Sequence, residues 1–174
     1  MPSADRAERL RHPEVLGDLL IYRLGQLYAT AGTMTLRVCE GEFGIPRREW
    51  RLLAVLGQGG ELQPSELAER AELDRARTSR ALASLQARGL VERRTVASDR
   101  RLALVGLTDE GRALHGRMLP RVAAINGALL TRLTDAQVAA LDVLLGALQQ
   151  QATQLLGAST WPKADRRRGH RPST

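Results

Sequence analysis

Asp74-Arg75-Ala76-Arg77-Thr78-Ser79-Arg80-Ala81-Leu82-Ala83-Ser84-Leu85-Gln86-Ala87-Arg88-Gly89-Leu90 spells out a helix together with its start and its stop. Asp74 is a good N-cap, because its carboxylate can accept from the orphan N–H groups of a first turn. Gly89 takes the usual glycine role just past a helix end. Between them Thr78, Ala81, Leu82 and Leu85 recur at helical spacing and form one face, which can pack on Leu67 and Leu73. The other side presents Ala76, Arg80, Ala83 and Ala87, with Arg77 and Ser79 at its edges. A face this small lets a helix sink into a major groove, and its arginines can pair with guanine edges. Arg75, Arg77, Ser79 and Arg80 are the side chains that a recognition helix would set against bases. Ser65, at the start of the preceding helix, is grouped with them as a DNA-binding candidate.

Upstream, that preceding helix begins near Pro64, with Glu66 in a first turn whose dipole favours a carboxylate. It carries Leu67 and Ala68 and ends around 71–73. Before it, a helix opens at Pro46, brings Trp50, Leu53, Ala54 and Leu56 inward, and stops at Gly57-Gln58-Gly59-Gly60. Downstream, strands near 90–96 and 102–107 flank the polar turn Ala97-Ser98-Asp99-Arg100, a hairpin signal. This hairpin carries Arg93, Arg94, Arg100 and Arg101, and an arginine on a protruding hairpin suits the narrow, electronegative minor groove. Asp99 can hold a neighbouring arginine in place. Arg94, Ser98, Asp99, Arg100 and Arg101 complete the DNA-binding candidates.

Longer helical patterns lie on either side. Leu16, Leu20, Leu24, Leu27, Ala31, Met34 and Val38 follow spacings of three and four, which predicts one long helix over 13–40. Thr108 caps a helix that runs to about 132, with a kink expected at Pro120. Thr134-Asp135-Ala136-Gln137 is a capping box opening a last helix, whose Val138, Leu141, Leu144, Leu145, Leu148, Ala152 and Leu155 form an apolar face. Faces this apolar call for a partner, so a homodimer is expected. The fold class is mainly α with a small β-hairpin wing. A winged helix-turn-helix, 46–107, is inserted between helical dimerisation segments, 13–45 and 108–158. Residues 1–12, charged and aperiodic, are read as a flexible arm, and 159–174 as a basic disordered tail.

Twenty-six Lys and Arg stand against 19 Asp and Glu, and the formal charge of +7 attracts polyanions. Hydrophobic residues make up 43% and aromatics 3%, so a globular chain with an aliphatic core is expected. No stretch has signal-peptide form or approaches the roughly 18 apolar residues of a membrane span, so a cytoplasmic chain is expected. The Gly-rich run at 57–60 lacks a following Lys-Ser or Lys-Thr and is a helix terminator rather than a phosphate cradle. His12, His115 and His170 show no ligand spacing, and no nucleophile-and-base pair is readable. The expectation is a non-enzyme without metal or cofactor.

The ordered set of these pieces resembles the multiple-antibiotic-resistance regulator (MarR) family. Leu67-Ala68-Glu69-Arg70, then Asp74 opening Arg77-Thr78-Ser79-Arg80-Ala81-Leu82, then Leu85-Gln86-Ala87-Arg88-Gly89-Leu90-Val91-Glu92-Arg93, is similar to its helix-turn-helix. Ser98-Asp99-Arg100-Arg101 followed by Leu107-Thr108-Asp109-Glu110-Gly111-Arg112 resembles its wing and the helix that follows. With Glu49-Trp50-Arg51-Leu52-Leu53, the resemblance covers nearly all of 13–157. It implies a homodimer built by the first, fifth and sixth helices, reading an inverted-repeat operator in double-stranded DNA. It also implies a small-molecule pocket beside the winged domain. Tyr22, Tyr28, Trp50 and Arg51 are the candidate lining, since rings stack and an arginine pairs with a carboxylate. The function expected is a sequence-specific transcription regulator, a repressor relieved by a small aromatic acid. The alternatives are a sequence-indifferent architectural DNA binder and a redox-responsive regulator using Cys39, although the neighbours of Cys39 do not lower its pKa.

Overall fold

The computed structural model describes residues 3–96 and 99–158, with the side chains of 3–5, 96 and 99–102 left out of the description. Ser98 and the tail 159–174 therefore lie outside the described residues. By internal contacts the chain divides into two units, Met1–Leu129 and Leu130–Thr174.

The first unit opens with helix α1 (Ser3–Arg11), within the stretch expected to be a flexible arm. The helix expected from Pro13 instead begins at Leu20, as α2 (Leu20–Leu36). A single 3₁₀ turn, Leu16–Asp18, precedes it. There the Asp18 carboxylate accepts from the N–H groups of Glu14 and Val15, both at 3.4 Å, a local bond that competes with helix. At its far end α2 passes into a π-helical turn, Arg37–Glu42. The chain then reverses at Gly44, whose φ of +62 is a left-handed conformation that glycine adopts without cost.

Helix α3 (Arg47–Gly59) starts directly after Pro46 and buries Trp50, Leu52, Leu53 and Leu56. Helix α4 (Pro64–Arg70) has proline at its first position, as the sequence led one to expect. The turn out of α4 places Glu72 at φ 52 and closes with Leu73 N–H on the Ala68 carbonyl at 2.9 Å. Helix α5 (Arg75–Ala87) follows with the cap read from the sequence, the Asp74 side chain accepting from Arg77 N–H at 2.8 Å. Its end is a Schellman motif. Leu90 N–H reaches Leu85 O and Gly89 N–H reaches Gln86 O, both at 3.0 Å, with Gly89 at φ +67.

Strands β1 (Val91–Val96) and β2 (Asp99–Leu107) pair antiparallel, Val91 opposite Leu107 and Arg93 opposite Val105. Leu62 adds an antiparallel bridge to Val105, with bonds of 3.0 and 2.8 Å, so the wing sheet is tied to the α3–α4 connection. Helix α6 (Asp109–Leu130) continues through Pro120. Its start is held by Thr108, whose hydroxyl donates to Gly89 O at 2.6 Å and accepts from Gly111 N–H at 3.0 Å. One core joins these elements, with Ile45, Leu52, Leu53, Leu67, Leu82, Leu85, Val105 and Met118 fully buried.

In the second unit, α7 (Asp135–Gly157) begins at the capping box read from the sequence. Thr134 and Gln137 exchange side-chain-to-backbone bonds of 2.9 and 3.3 Å. Among the described residues, no helix is long and apolar enough to cross a membrane.

Candidate nucleic-acid interface and pocket

Helix α5 has the two faces its sequence spells out. Thr78, Ala81, Leu82 and Leu85 are buried, while Arg75, Ala76, Arg77, Ser79 and Arg80 are exposed. Its inner face packs on both α3 and α4, which fixes the direction of the outer one. A cleft of about 380 Å³ lies along one flank, lined by Pro64, Ser65, Arg75, Thr78, Ser79 and Arg93. A second, of about 250 Å³, is lined by Pro46, Arg48, Glu49, Arg77, Arg80 and Ala81. The helix thus stands between two recesses that each hold arginine. Arg77 is the most constrained of these cations, since Asp74 caps its backbone and also holds its Nε at 3.0 Å.

The hairpin divides the arginines between its faces. Arg93 lies opposite Val105 and joins the cleft beside Ser65 and Ser79. Arg94 points the other way. Its Nε lies 3.4 Å from Glu61 and 3.6 Å from Glu92. The structure therefore brings Arg93, and not Arg94, to the exposed face of α5, together with Arg48, which the sequence did not single out. Asp99, Arg100 and Arg101 lie in β2, their side chains outside the described residues along with all of Ser98.

Three helix faces enclose a cavity of about 340 Å³ in the same unit. Tyr28, Ala31, Gly32 and Thr35 come from α2; Arg47, Trp50, Arg51 and Ala54 from α3; and Val122, Ile125, Asn126 and Leu129 from α6. Each set is spaced as one helical stripe. Three of the four pocket residues expected from the sequence, Tyr28, Trp50 and Arg51, meet here, whereas Tyr22 does not line the cavity. Arg51 donates to Tyr28 Oη at 3.3 Å and to the Ala71 carbonyl at 3.0 Å. Arg47 donates to the same hydroxyl, and its guanidinium stacks 4.8 Å over the Tyr28 ring. The sequence reading missed Arg47, although it lies one turn before Arg51 on the same stripe. Trp50 is nearly buried and stacks on His115, with ring centroids 5.7 Å apart.

Cys39 is fully buried, and desolvation, helped by Glu40, pushes its thiol up to about 11 against a smaller opposing pull from Arg47. An oxidation sensor needs an exposed thiolate, so this site lends the redox alternative no support. Among the described residues no group of His, Cys, Asp and Glu is gathered as metal ligands.

Residues 43–102 match the sequence profile of the MarR family. The uncharacterized HTH-type transcriptional regulator YdgJ of Bacillus subtilis (strain 168) is 38% identical over 69 residues. That alignment spans 40% of this chain and 42% of the relative, less than half of either. A MarR-family transcriptional regulator from Silicibacter pomeroyi is similar in structure, with a TM-score of 0.68 at 27% identity. The superposition covers 77% of this chain and 90% of that one. The transcriptional repressor CouR, bound to a 23-mer DNA duplex, gives a TM-score of 0.69 at 27% identity over 77% and 94% of the two chains. The PcaV regulator of Streptomyces coelicolor, in complex with its natural ligand, gives 0.63 at 26% identity over 83% and 96%.

Proposed function

We propose that the chain is a transcription regulator of the MarR family that binds duplex DNA as a homodimer. The observation that carries this reading is the exposed face of α5, with Arg75, Ser79 and Arg80 flanked by Arg93 in one cleft and Arg48 in the other. Small residues between them, Ala76 and Ala83, let the helix approach a groove floor. The similarity to CouR in its DNA-bound form supports the same use of the surface.

Dimerisation rests on apolar surface. Leu16, Leu24, Leu27 and Met34 are exposed in the first unit, and Val143, Leu144, Leu145, Leu148 and Leu155 in the second. Exposed apolar side chains in such number on each unit call for a partner surface. A two-fold pair of α5 helices then reads an inverted repeat, with half-sites about one helical turn apart, roughly 10 base pairs.

The regulator acts as a repressor that a small aromatic acid relieves. The cavity among α2, α3 and α6 has the size, the apolar walls and the arginines for such a ligand. Arg51 couples it to the reading head, because one of its donors enters the cavity and another holds Ala71, the residue that ends α4. A ligand that draws Arg51 away from Ala71 loosens the α4–α5 turn. It favours release of DNA only insofar as it binds the displaced arrangement better. PcaV in complex with its natural ligand supports a ligand-responsive reading.

The test is fluorescence anisotropy of the full chain on duplex from its own upstream region and on scrambled duplex, at rising salt. Preference for the upstream duplex that survives added salt, and that Arg80→Ala reduces, is the expected result. Equal affinity for both duplexes at every salt concentration overturns the sequence-specific reading and favours an architectural binder.

A further inference from the structure

Resting on the effector pocket just described, we propose that its ligand is a dianion: a small aromatic ring carrying two acidic groups on neighbouring ring carbons. Two guanidinium groups, Arg47 and Arg51, reach the one cavity and converge on a single oxygen, the Tyr28 hydroxyl. Among the described residues that line the cavity none is acidic, and neither guanidinium ion-pairs with a carboxylate. Of the acidic residues near them in sequence, Glu40 meets the backbone N–H of Arg47 rather than its side chain, Glu42 pairs with Arg121 and Glu49 with Arg88. Two like charges thus share a partly buried site with neutral partners alone, the Tyr28 hydroxyl and the carbonyls of Gly32 and Ala71, so their hydrogen bonds are met in part while neither charge is balanced.

A monocarboxylate neutralises one of these cations and leaves the other. Two carboxylates neutralise both, and the bidentate fork of each guanidinium matches a carboxylate in geometry. Convergence on one oxygen also sets where the acids must sit. Groups on adjacent carbons of a ring reach both arginines from one edge. A para arrangement carries the second carboxylate across the ring and away from the guanidinium groups, toward a mostly apolar lining where Thr35 and Asn126 offer neutral groups and no further cation stands. Trp50 offers the ring a flat apolar wall.

Isothermal titration calorimetry of the full chain with benzoate, phthalate and terephthalate separates the possibilities. Phthalate is expected to bind about tenfold or more tighter than either of the others, the scale of one added charge-assisted contact. Arg47→Gln and Arg51→Gln should each bring phthalate down to the level of benzoate, while Arg47→Lys, which keeps the charge and loses the fork, retains part of the gain. Circular dichroism of each variant checks that the helices are intact. If benzoate binds and weakens in the Arg51→Gln chain but phthalate is no tighter, the dianion is refuted and the pocket reading survives. If none of the three binds the folded chain, both are refuted.

Discussion

Gly111 lies against the carbonyl of Leu90 so closely that a Cβ built on it would stand 2.0 Å from that oxygen. The contact locks the first turn of α6 to the residue that leaves α5 and enters the wing. Thr108 N–H bonds to the same carbonyl at 3.2 Å, and the Thr108 hydroxyl bonds to Gly89. Any tilt of α6 is therefore handed to the C-terminal end of α5.

Replacing Gly111 by alanine should cost roughly 2 kcal/mol or more, since backbone rather than a flexible side chain must yield. Gly116→Ala, with nothing within 4 Å of the added carbon, should gain up to about 1 kcal/mol from helix propensity alone. Urea denaturation of the two variants checks both signs. Equal midpoints would show that the approach of α6 to Leu90 is not tight.

The wing faces make a prediction about which arginine meets DNA. Arg93→Ala should weaken binding to the preferred duplex by about 1–3 kcal/mol, as loss of a groove or phosphate contact does. Arg94→Ala, already shared between Glu61 and Glu92 on the other face, should cost under about 0.5 kcal/mol. Anisotropy titrations of the two variants decide, and the reverse order would place the other hairpin face on the DNA.

Much of this surface was legible in the sequence, and the misses have physical causes. Thr78, Ala81, Leu82 and Leu85 could be read as a buried face because helical periodicity and two capping signals agreed over one short segment. Residue type does not separate Arg94 from Arg93, whereas strand alternation puts Arg93 on the side of Val91, which is buried. Tyr22 and Tyr28 are alike in residue type, yet six positions apart on a helix they point about 120° from one another. One cavity therefore takes Tyr28 alone. The late start of α2 turned on Asp18 bonding to backbone three and four residues earlier, which apolar spacing cannot reveal. The π-helical turn around Cys39 has no local sequence signal either.

Cys39 should be nearly inert in the folded chain. With its thiol pushed up to about 11 by burial, only about one molecule in ten thousand carries the thiolate at neutral pH. A thiol-reactive disulfide reagent should label it at the rate of unfolding, accelerating as urea is added. Rapid stoichiometric labelling of native protein would reopen the redox alternative.

Glu42 and Arg121 form a two-bond pair, Nε to Oε2 at 2.8 Å and Nη2 to Oε1 at 2.7 Å, joining the end of the π-helical turn to α6. The Arg121 bond holds the Glu42 carboxyl below its ordinary value of 4.5. A depressed carboxyl stabilises the fold above its unfolded pKa and loses that contribution as pH falls through the folded one. Wild type should therefore exceed Arg121→Gln in stability at pH 7, and the gap should close as pH drops below about 4. A gap that widens in acid would contradict the pairing.

Two copies of α5, related by a two-fold axis, are expected to read one face of a duplex. Hydroxyl-radical footprinting on the preferred upstream duplex, paired with the mass of the complex from sedimentation equilibrium, addresses it directly. Two symmetric protected patches about one helical turn apart, roughly 10 base pairs, with two chains per duplex, are the expected result. A single patch with one chain bound, or uniform protection without phase, would contradict it.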